Sequence, residues 1–329
     1  MFLAPIVVEV ADGVEIAVDG GQGGNHGSFD TFGVGIPAEY ANVFCHDLVP
    51  KQSRKAVKNM SSSGTPSTTV SGQLPLDTTE DVRERGAGVA RQVAVLPVGS
   101  FEQHGPFLPL ATDTLVACAI AREVAAAYPV HLLPPVTISC SHEHAAWPGT
   151  VSISSVTLHA VVRDIADSLL RSGVDTLVLV NGHGGNYVLG NVVQESVGSG
   201  TRMALFPAME DWDSARERAG VQTSLLSDMH AGEIETSILL HDRPECVKAG
   251  YETSDFVADD RRHLLTLGMS GYTESGVIGR PSLASAEKGK ELLAALTDSF
   301  GAYFSLVTSK TLPGEGGTPR DAPVVDRPH

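Results

Sequence analysis

Positive charge is scarce in this chain. Lys and Arg number 23 against 39 Asp and Glu, a formal net charge of −16. An acidic surface repels phosphate backbones, and no basic patch interleaved with aromatics offsets it, so nucleic acid is not expected as a partner. Aromatics make up 5% of the 329 residues, while glycines number 34. That balance suits tight strand-to-helix connections better than a β-sandwich. There are four cysteines, Cys45, Cys118, Cys140 and Cys246, widely spaced and without a CxxC pair. A zinc-finger or dithiol redox protein is thereby excluded, and reduced thiols in a cytoplasmic protein are the expectation. No run of about 18 uncharged apolar residues occurs, so no membrane span is expected. The first residues, MFLAPIVVEVADGVEI, carry acids early and lack a basic start, which argues against a secretory signal.

Residues 1–75 differ from the rest. Stretches such as GGQGGNHGSFDTFGVG and MSSSGTPSTTVSGQ bury too little apolar area to offset the entropy of ordering. They are expected to form a disordered extension, with a short strand at residues 6–10 and a translation start at Met60 as alternatives. A Pro/Gly tail at residues 311–329 is expected to be loose. Between them, residues 76–310 are expected to form one domain.

Within that domain apolar strands alternate with helical patterns. VAVLPV at Val93–Val98 and TLVLV at residues 176–180 are short continuous apolar runs, fit for strands buried on both faces. Weaker strands are expected at 131–137, interrupted by prolines, and at 203–206. Helices are expected at 114–127, 157–172 ending at Gly173, 186–196, 231–240 and 288–306. The alternation predicts an α/β fold, a three-layer α/β/α sandwich around a mostly parallel sheet. In such sheets ligands bind beyond the carboxyl ends of the strands.

The polar residues gather there. Glu102 and His104 follow the first strand, with Asp113 close behind. His183 in NGHGGN follows TLVLV, and Glu210 and Asp211 follow the strand at 203–206. Two further groups are Ser141-His142-Glu143-His144 and the stretch from Asp228 through His230 to Glu233 and Glu235. Imidazole and carboxylate together suit Zn, Mn or Fe. A carboxylate such as Asp113 can bridge two ions that together polarise a carbonyl. Glu233 and Glu235 are two apart on a helix and do not share a face, so one of them is expected in the site and the other in a solvated or capping role.

Competing chemistries fit less well. Ser100 follows a strand but lacks the GxSxG elbow of a serine hydrolase. No cysteine sits in a Gly-rich turn. NGHGGN lacks the Lys and Ser/Thr of a P-loop. The HEH string at His142–His144 is not the HExxH helix of zincins, and a plain polar loop is its alternative reading.

Taken together, LPVGSFEQHGPFLPLATDT, WPGTVSIS, LVLVNGHGGN, HAGEIETS and GVIGRPSLASAEKG resemble the creatininase (creatinine amidohydrolase) family over about residues 92 to 305, in its NGHGGN branch. The resemblance implies two divalent metal ions per chain, zinc first and manganese or iron as alternatives. It also implies a homo-oligomer, commonly a hexamer, and a small-molecule amide substrate. Carried over by position, Glu102, Asp113 and His183 would hold one ion, and His104, the bridging Asp113 and Glu235 the other. His230 would stand near the substrate as proton shuttle or carbonyl polariser, with Glu143 and His144 as its catalytic neighbours. The reaction implied is attack of a metal-bridging hydroxide on a small cyclic amide or formamide. Two positions depart from the family. Gly185 stands where true creatininases carry a Glu, which argues against creatinine itself. Phe107 replaces the His of HGPHLP. Relatives without that Glu include deformylases of a formamidopyrimidine nucleotide and the peptidase that trims the mycofactocin precursor. Few basic residues stand near the motifs, which gives little support for a phosphorylated substrate, although Arg280 in VIGRPS could reach one. A non-catalytic metabolite-binding relative is the remaining alternative.

Overall fold

Val93–Val98 is buried at every position, as a strand covered on both faces must be. In the computed structural model, which describes residues 74–86 and 91–309, it forms β1, preceded by helix α1 (Thr79–Gly86). The remaining elements follow as α2 (Thr112–Ala127), β2 (His131–Leu132), α3 (Ser155–Arg171), β3 (Thr176–Asn181), α4 (Val188–Glu195), β4 (Arg202–Phe206), α5 (Met209–Ala219), α6 (Glu233–Asp242), α7 (Leu264–Leu267) and α8 (Ala286–Thr308). The described residues belong to a unit spanning Ser67–His329. The expectations for 311–329, and for 1–75 apart from its last two residues, lie outside them.

The four strands lie in the order β2-β1-β3-β4, and every pairing is parallel. Because side chains alternate along a strand, the same residues build two separate cores. Val93, Val95, Val178, Val180 and Phe206 face α2, α6 and α8, packing with Ile120, Ile238 and Phe300. Ala94, Leu96, Leu177 and Leu179 face α3 and α4, packing with Leu158, Val162 and Leu189. The three-layer α/β/α sandwich is thereby formed. Truncating a fully buried leucine such as Leu179 to Ala costs about 2–5 kcal/mol.

Helix α3 starts where Ser154 accepts the Thr157 N–H at 3.2 Å and stops before Gly173, at φ 89°, a conformation that favours glycine. Two other glycines bring the site together. Gly99 and Gly182 follow β1 and β3, and the first turn of α2 lies directly on both. A side chain at Gly99 would overlap the Thr114 backbone, and one at Gly182 the Asp113 carbonyl. These close approaches set Asp113 over the ends of the two central strands.

Some expected elements differ. The strand at 131–137 reduces to His131–Leu132, with one isolated bridge from Val98 to Val136. Pro134 and Pro135 have no N–H to give the ladder. The helix expected at 231–240 begins at Glu233, because the Asp228 carboxylate accepts the Glu233 and Ile234 N–H groups at 2.6 and 3.0 Å. Asp211 does not reach the site. It caps α5 by accepting the Ala208 N–H at 2.8 Å and is held by Tyr303 at 2.7 Å. Glu210 lies exposed beside it in the same first turn.

Candidate metal centre

Beyond the carboxyl ends of β1 and β3, chain segments far apart in sequence bring three carboxylates and four imidazoles together. Asp113 lies at the middle. Its Oδ1 is 3.1 Å from His104 Nε2, and its Oδ2 is 3.0 Å from His183 Nδ1. Ser100 donates to Oδ2 at 2.5 Å. Glu102 is fully buried, with its two oxygens 3.1 and 3.2 Å from His144 Nε2 and His183 Nε2. His230 Nδ1 is 3.8 Å from Glu102, and Glu235 is 3.9 Å from His104.

Backbone and amide groups orient the rings. His104 Nδ1 donates to the Glu102 carbonyl at 3.0 Å, which leaves Nε2 for Asp113. His183 Nε2 donates to the Cys140 carbonyl at 2.8 Å, leaving Nδ1 for Asp113. His230 Nε2 donates to the Gln103 carbonyl at 2.6 Å, leaving Nδ1 facing the cluster. Such outer partners fix the tautomer a metal-binding imidazole needs. His144 differs. The Gln103 side chain accepts the Gly105 N–H at 3.0 Å and donates to the Gly276 carbonyl at 3.2 Å. Its orientation is therefore set, and its amide also donates to His144 Nδ1 at 2.9 Å. His144 then carries its proton on Nε2, aimed at Glu102.

The charges are far from balanced by hydrogen bonds alone. Among the described residues, the buried Glu102 carboxylate is met only by the His144 and His183 rings and the Ser141 hydroxyl. Burial, with Asp113 nearby, pushes the Glu102 carboxyl up to about 8. For Asp113 burial acts upward too, but His104 and His183 outweigh it and hold the carboxyl well below its ordinary range. Burial lowers both of those histidines, yet the surrounding carboxylates win, raising His104 to about 9 and His183 to about 10. Burial together with the neighbouring His104 and His183 drops His144 to about 3. Burial likewise carries His230 well below 6.5. Protons stand where cations would be favoured. Three groups bring ligand atoms within 4.8 Å of one another: Glu102 with Asp113 and His183, His104 with His230 and Glu235, and Glu102 with His144 and His230. The donors are N and O with no thiolate, gathered round a fully buried carboxylate. That set fits borderline divalent ions such as Zn, Mn or Fe.

Turns deliver the side chains. The His142–His144 segment forms a single 3-10 turn, which places His144 inside and the Glu143 carboxylate at the edge, 3.5 Å from His183 Nε2. Gly185 lies against that carboxylate. A Cβ there would overlap both Glu143 Oε1 and the His183 ring. At the opposite side Ala231 has φ 51°, the one positive value among described residues other than glycine. Its N–H donates to Glu235 at 2.6 Å, which aims that carboxylate at His104.

Glu102, His104, Asp113, His144, His183, His230 and Glu235 thus converge, with Glu143 at the rim. His142 turns outward to Ser152. Glu233 points away, accepting from Gln222, Thr223 and Lys288. Arg280 is exposed and paired with Asp255 at 3.3 Å. The residue that sequence reasoning passed over is Gln103, and Ser100, weighed there only as a nucleophile, instead donates to Asp113. Gln103 stands between Glu102 and His104, so the alternation of the segment was the available signal.

Residues 77–304 match the family described as creatininase, creatinine amidohydrolase. The chain is 34% identical over 221 residues to the mycofactocin precursor peptide peptidase of Mycobacterium tuberculosis, covering 62% of this chain and 81% of that protein. It is 28% identical over 174 residues to the creatinine amidohydrolase of Pseudomonas putida, covering 47% and 66% respectively. Among solved structures, "Creatininase Mn" superposes with a TM-score of 0.60 at 22% identity, covering 70% of this chain and 96% of that one. The four-stranded parallel sheet, the carboxylate and imidazole cluster at its carboxyl edge and the match across both place the chain in the creatininase (creatinine amidohydrolase) family of hydrolases.

Proposed function

We propose that the chain is a metal-dependent hydrolase of amide C–N bonds using two divalent ions. The observation that carries this reading is Glu102, a fully buried carboxylate whose ligand atoms lie within 4.8 Å of those of His144 and His230 on one side and of Asp113 and His183 on the other. A carboxylate buried there is costly unless a cation completes it. Glu102, Asp113 and His183 would hold one ion, and His104, Asp113 and Glu235 the other. The Asp113 oxygens each face a different imidazole, as a bridging carboxylate requires. Bound there, the ions would act as Lewis acids on the amide carbonyl and lower the pKa of water.

The protein's own groups handle protons and position. Hydrolysis forms one C–O bond, breaks the C–N bond and moves a water proton to the leaving nitrogen. His230 keeps Nδ1 unprotonated and turned toward the cluster, because its other nitrogen is tied to the Gln103 carbonyl. It is placed to take that proton and return it. Glu143 stands beside His183 at the rim, as the carboxylate through which the proton reaches the departing amine. His144 keeps Glu102 in place.

The bond attacked belongs to a small cyclic amide, a formamide or a peptide. Peptide trimming is favoured over creatinine by the 34% identity to a precursor-peptide peptidase against 28% to a creatinine amidohydrolase, and by Gly185. Assembly into a homo-oligomer of up to six chains goes with the same reading, and light scattering tests it. Metal analysis of the purified protein, with hydrolysis assayed before and after chelation, tests the whole. A chain that retains no divalent ion, or hydrolyses amides undiminished after chelation, refutes the assignment. Ligand binding without hydrolysis that survives chelation would identify a non-catalytic relative.

A further inference from the structure

We propose that the groove beside Glu143 is the substrate channel of this site and that it takes an extended, unphosphorylated peptide segment with apolar side chains. This inference rests on the amide-hydrolase reading and names the substrate class for it.

The groove has a volume of about 680 Å³, within the range that encloses a drug-sized ligand and well beyond the needs of a small ring amide. One wall is the 3-10 turn with Ala145 and Ala146. Another is the start of α4 with Tyr187 and Val188. The third is α7 with Leu265 and Leu267. Tyr187, Leu265 and Leu267 are 63%, 81% and 54% exposed, apolar surface left at the rim of a concave site. Glu143, Gly185 and Cys140 line the groove. Glu143 is 3.5 Å from His183 Nε2, and the Cys140 carbonyl accepts from the same ring. The groove thus borders the cluster through these residues, although none of the converging ligands lines it.

The lining contains no Lys or Arg, and Glu143 is its one carboxylate. Along these walls, away from the proposed metal centre, a phosphate would meet the Glu143 carboxylate with no Lys or Arg to answer it and only the His142 imidazole beside it. Arg280 is paired with Asp255 and is not in the lining. The N-terminus of α3 reaches the groove at Ser154 and Ser155, but the Ser154 hydroxyl already accepts the Thr157 N–H. Neutral carbonyls and apolar side chains suit these walls. The groove is also built in advance: Gly268 packs on the Glu143 carbonyl, and the adjoining Met269 is fully buried.

The test uses the full chain loaded with zinc and carrying Glu143→Gln, so that binding is read without turnover. Calorimetry compares a blocked neutral hexapeptide, acetyl-Gly-Leu-Ala-Phe-Ser-Ala-amide, with its phosphoserine form. Removing the Glu143 charge favours the phosphopeptide, which makes the comparison stringent. The neutral peptide should bind at least tenfold tighter. Ala146→Trp or Leu267→Asp in the same background should weaken it at least tenfold with metal content unchanged. The proposal fails if neither peptide binds, if the phosphopeptide binds equally or better, or if both variants leave affinity intact. It also fails if Leu267→Asp breaks up an oligomer without touching peptide affinity, which would make the rim a contact between copies. Hydrolysis by the wild type is scored separately by mass spectrometry. Binding without metal-dependent cleavage would refute the hydrolase and leave the channel standing, whereas cleavage of small amides without peptide binding would do the reverse.

Discussion

Gly185 and Glu143 occupy one space: the Glu143 carboxylate lies where the first carbon of any side chain at 185 would have to go. Gly185→Ala should therefore displace both Glu143 and the His183 ring, lowering metal content together with turnover. Loss of a positioned acid–base group costs about 10²–10⁴-fold in rate. Glu143→Gln, which leaves the His183 ring where it is, should lower kcat by that amount with unchanged metal content. Wild-type turnover in Glu143→Gln would remove Glu143 from the reaction.

Asp113 is the residue whose loss should empty the centre. Asp113→Ala is expected to bind neither ion tightly, with its circular dichroism intact because Gly99 and Gly182 still seat α2. Gln103→Leu should act more gently. It frees His144, which then no longer holds Glu102, and an orienting partner of this kind is worth about 10–100-fold in metal affinity. Elemental analysis and chelator competition measure both effects, and two tightly bound ions in Asp113→Ala would contradict the bridging assignment.

Metal affinity should fall as the solution is acidified. His104 and His183 are raised to about 9 and about 10 and Glu102 to about 8, so near neutral pH the metal-free cluster holds protons that a bound cation must expel. Each proton displaced contributes about a factor of ten in affinity per pH unit. Competition against a chelator of known proton affinity between about pH 6 and 8 should show at least that slope. A flat profile would mean that these groups are not the ligands.

Glu233 and Glu235 should separate cleanly. Burial alone would raise Glu233, but bonds from Lys288, Thr223 and Gln222 outweigh it and lower the carboxyl. A carboxyl lowered on folding stabilises the protein above its unfolded pKa of about 4.3, and that contribution is lost as pH falls through the folded value. Lys288→Met leaves the buried Glu233 without its cation and should cost about 3–5 kcal/mol. In thermal melts it should lower Tm and keep the metal, whereas Glu235→Gln should lose metal from the His104 side with less change in Tm. The opposite pattern would exchange the two roles.

Much of this was legible in the sequence because strand ends announce themselves. Val93–Val98 and Thr176–Asn181 are continuous apolar runs followed by glycine, and the polar residues just beyond them are the ones that converge. The second strand was overestimated, since the apolar character of HLLPPVT hid two prolines that cannot donate to a ladder. Asp211 follows a strand as His183 does, yet a local capping bond claims it. The pairing of Glu143 with Gly185 and the chain from Gly276 through Gln103 to His144 depend on loops meeting in space, and no periodicity encodes such meetings.

Asp113 receives its partners from loops that the chain makes far apart, with Glu102 and His104 early and His230 and Glu235 late. During synthesis the first two emerge well before the helix that bears Glu235, and a cation offered then finds only a fragment of its cage. Ion retention is thus a property of the completed sheet and not of any local motif. Because a cation held by the native state alone shifts the folding equilibrium toward it, metal stoichiometry in a preparation would then rise with the fraction of correctly folded molecules.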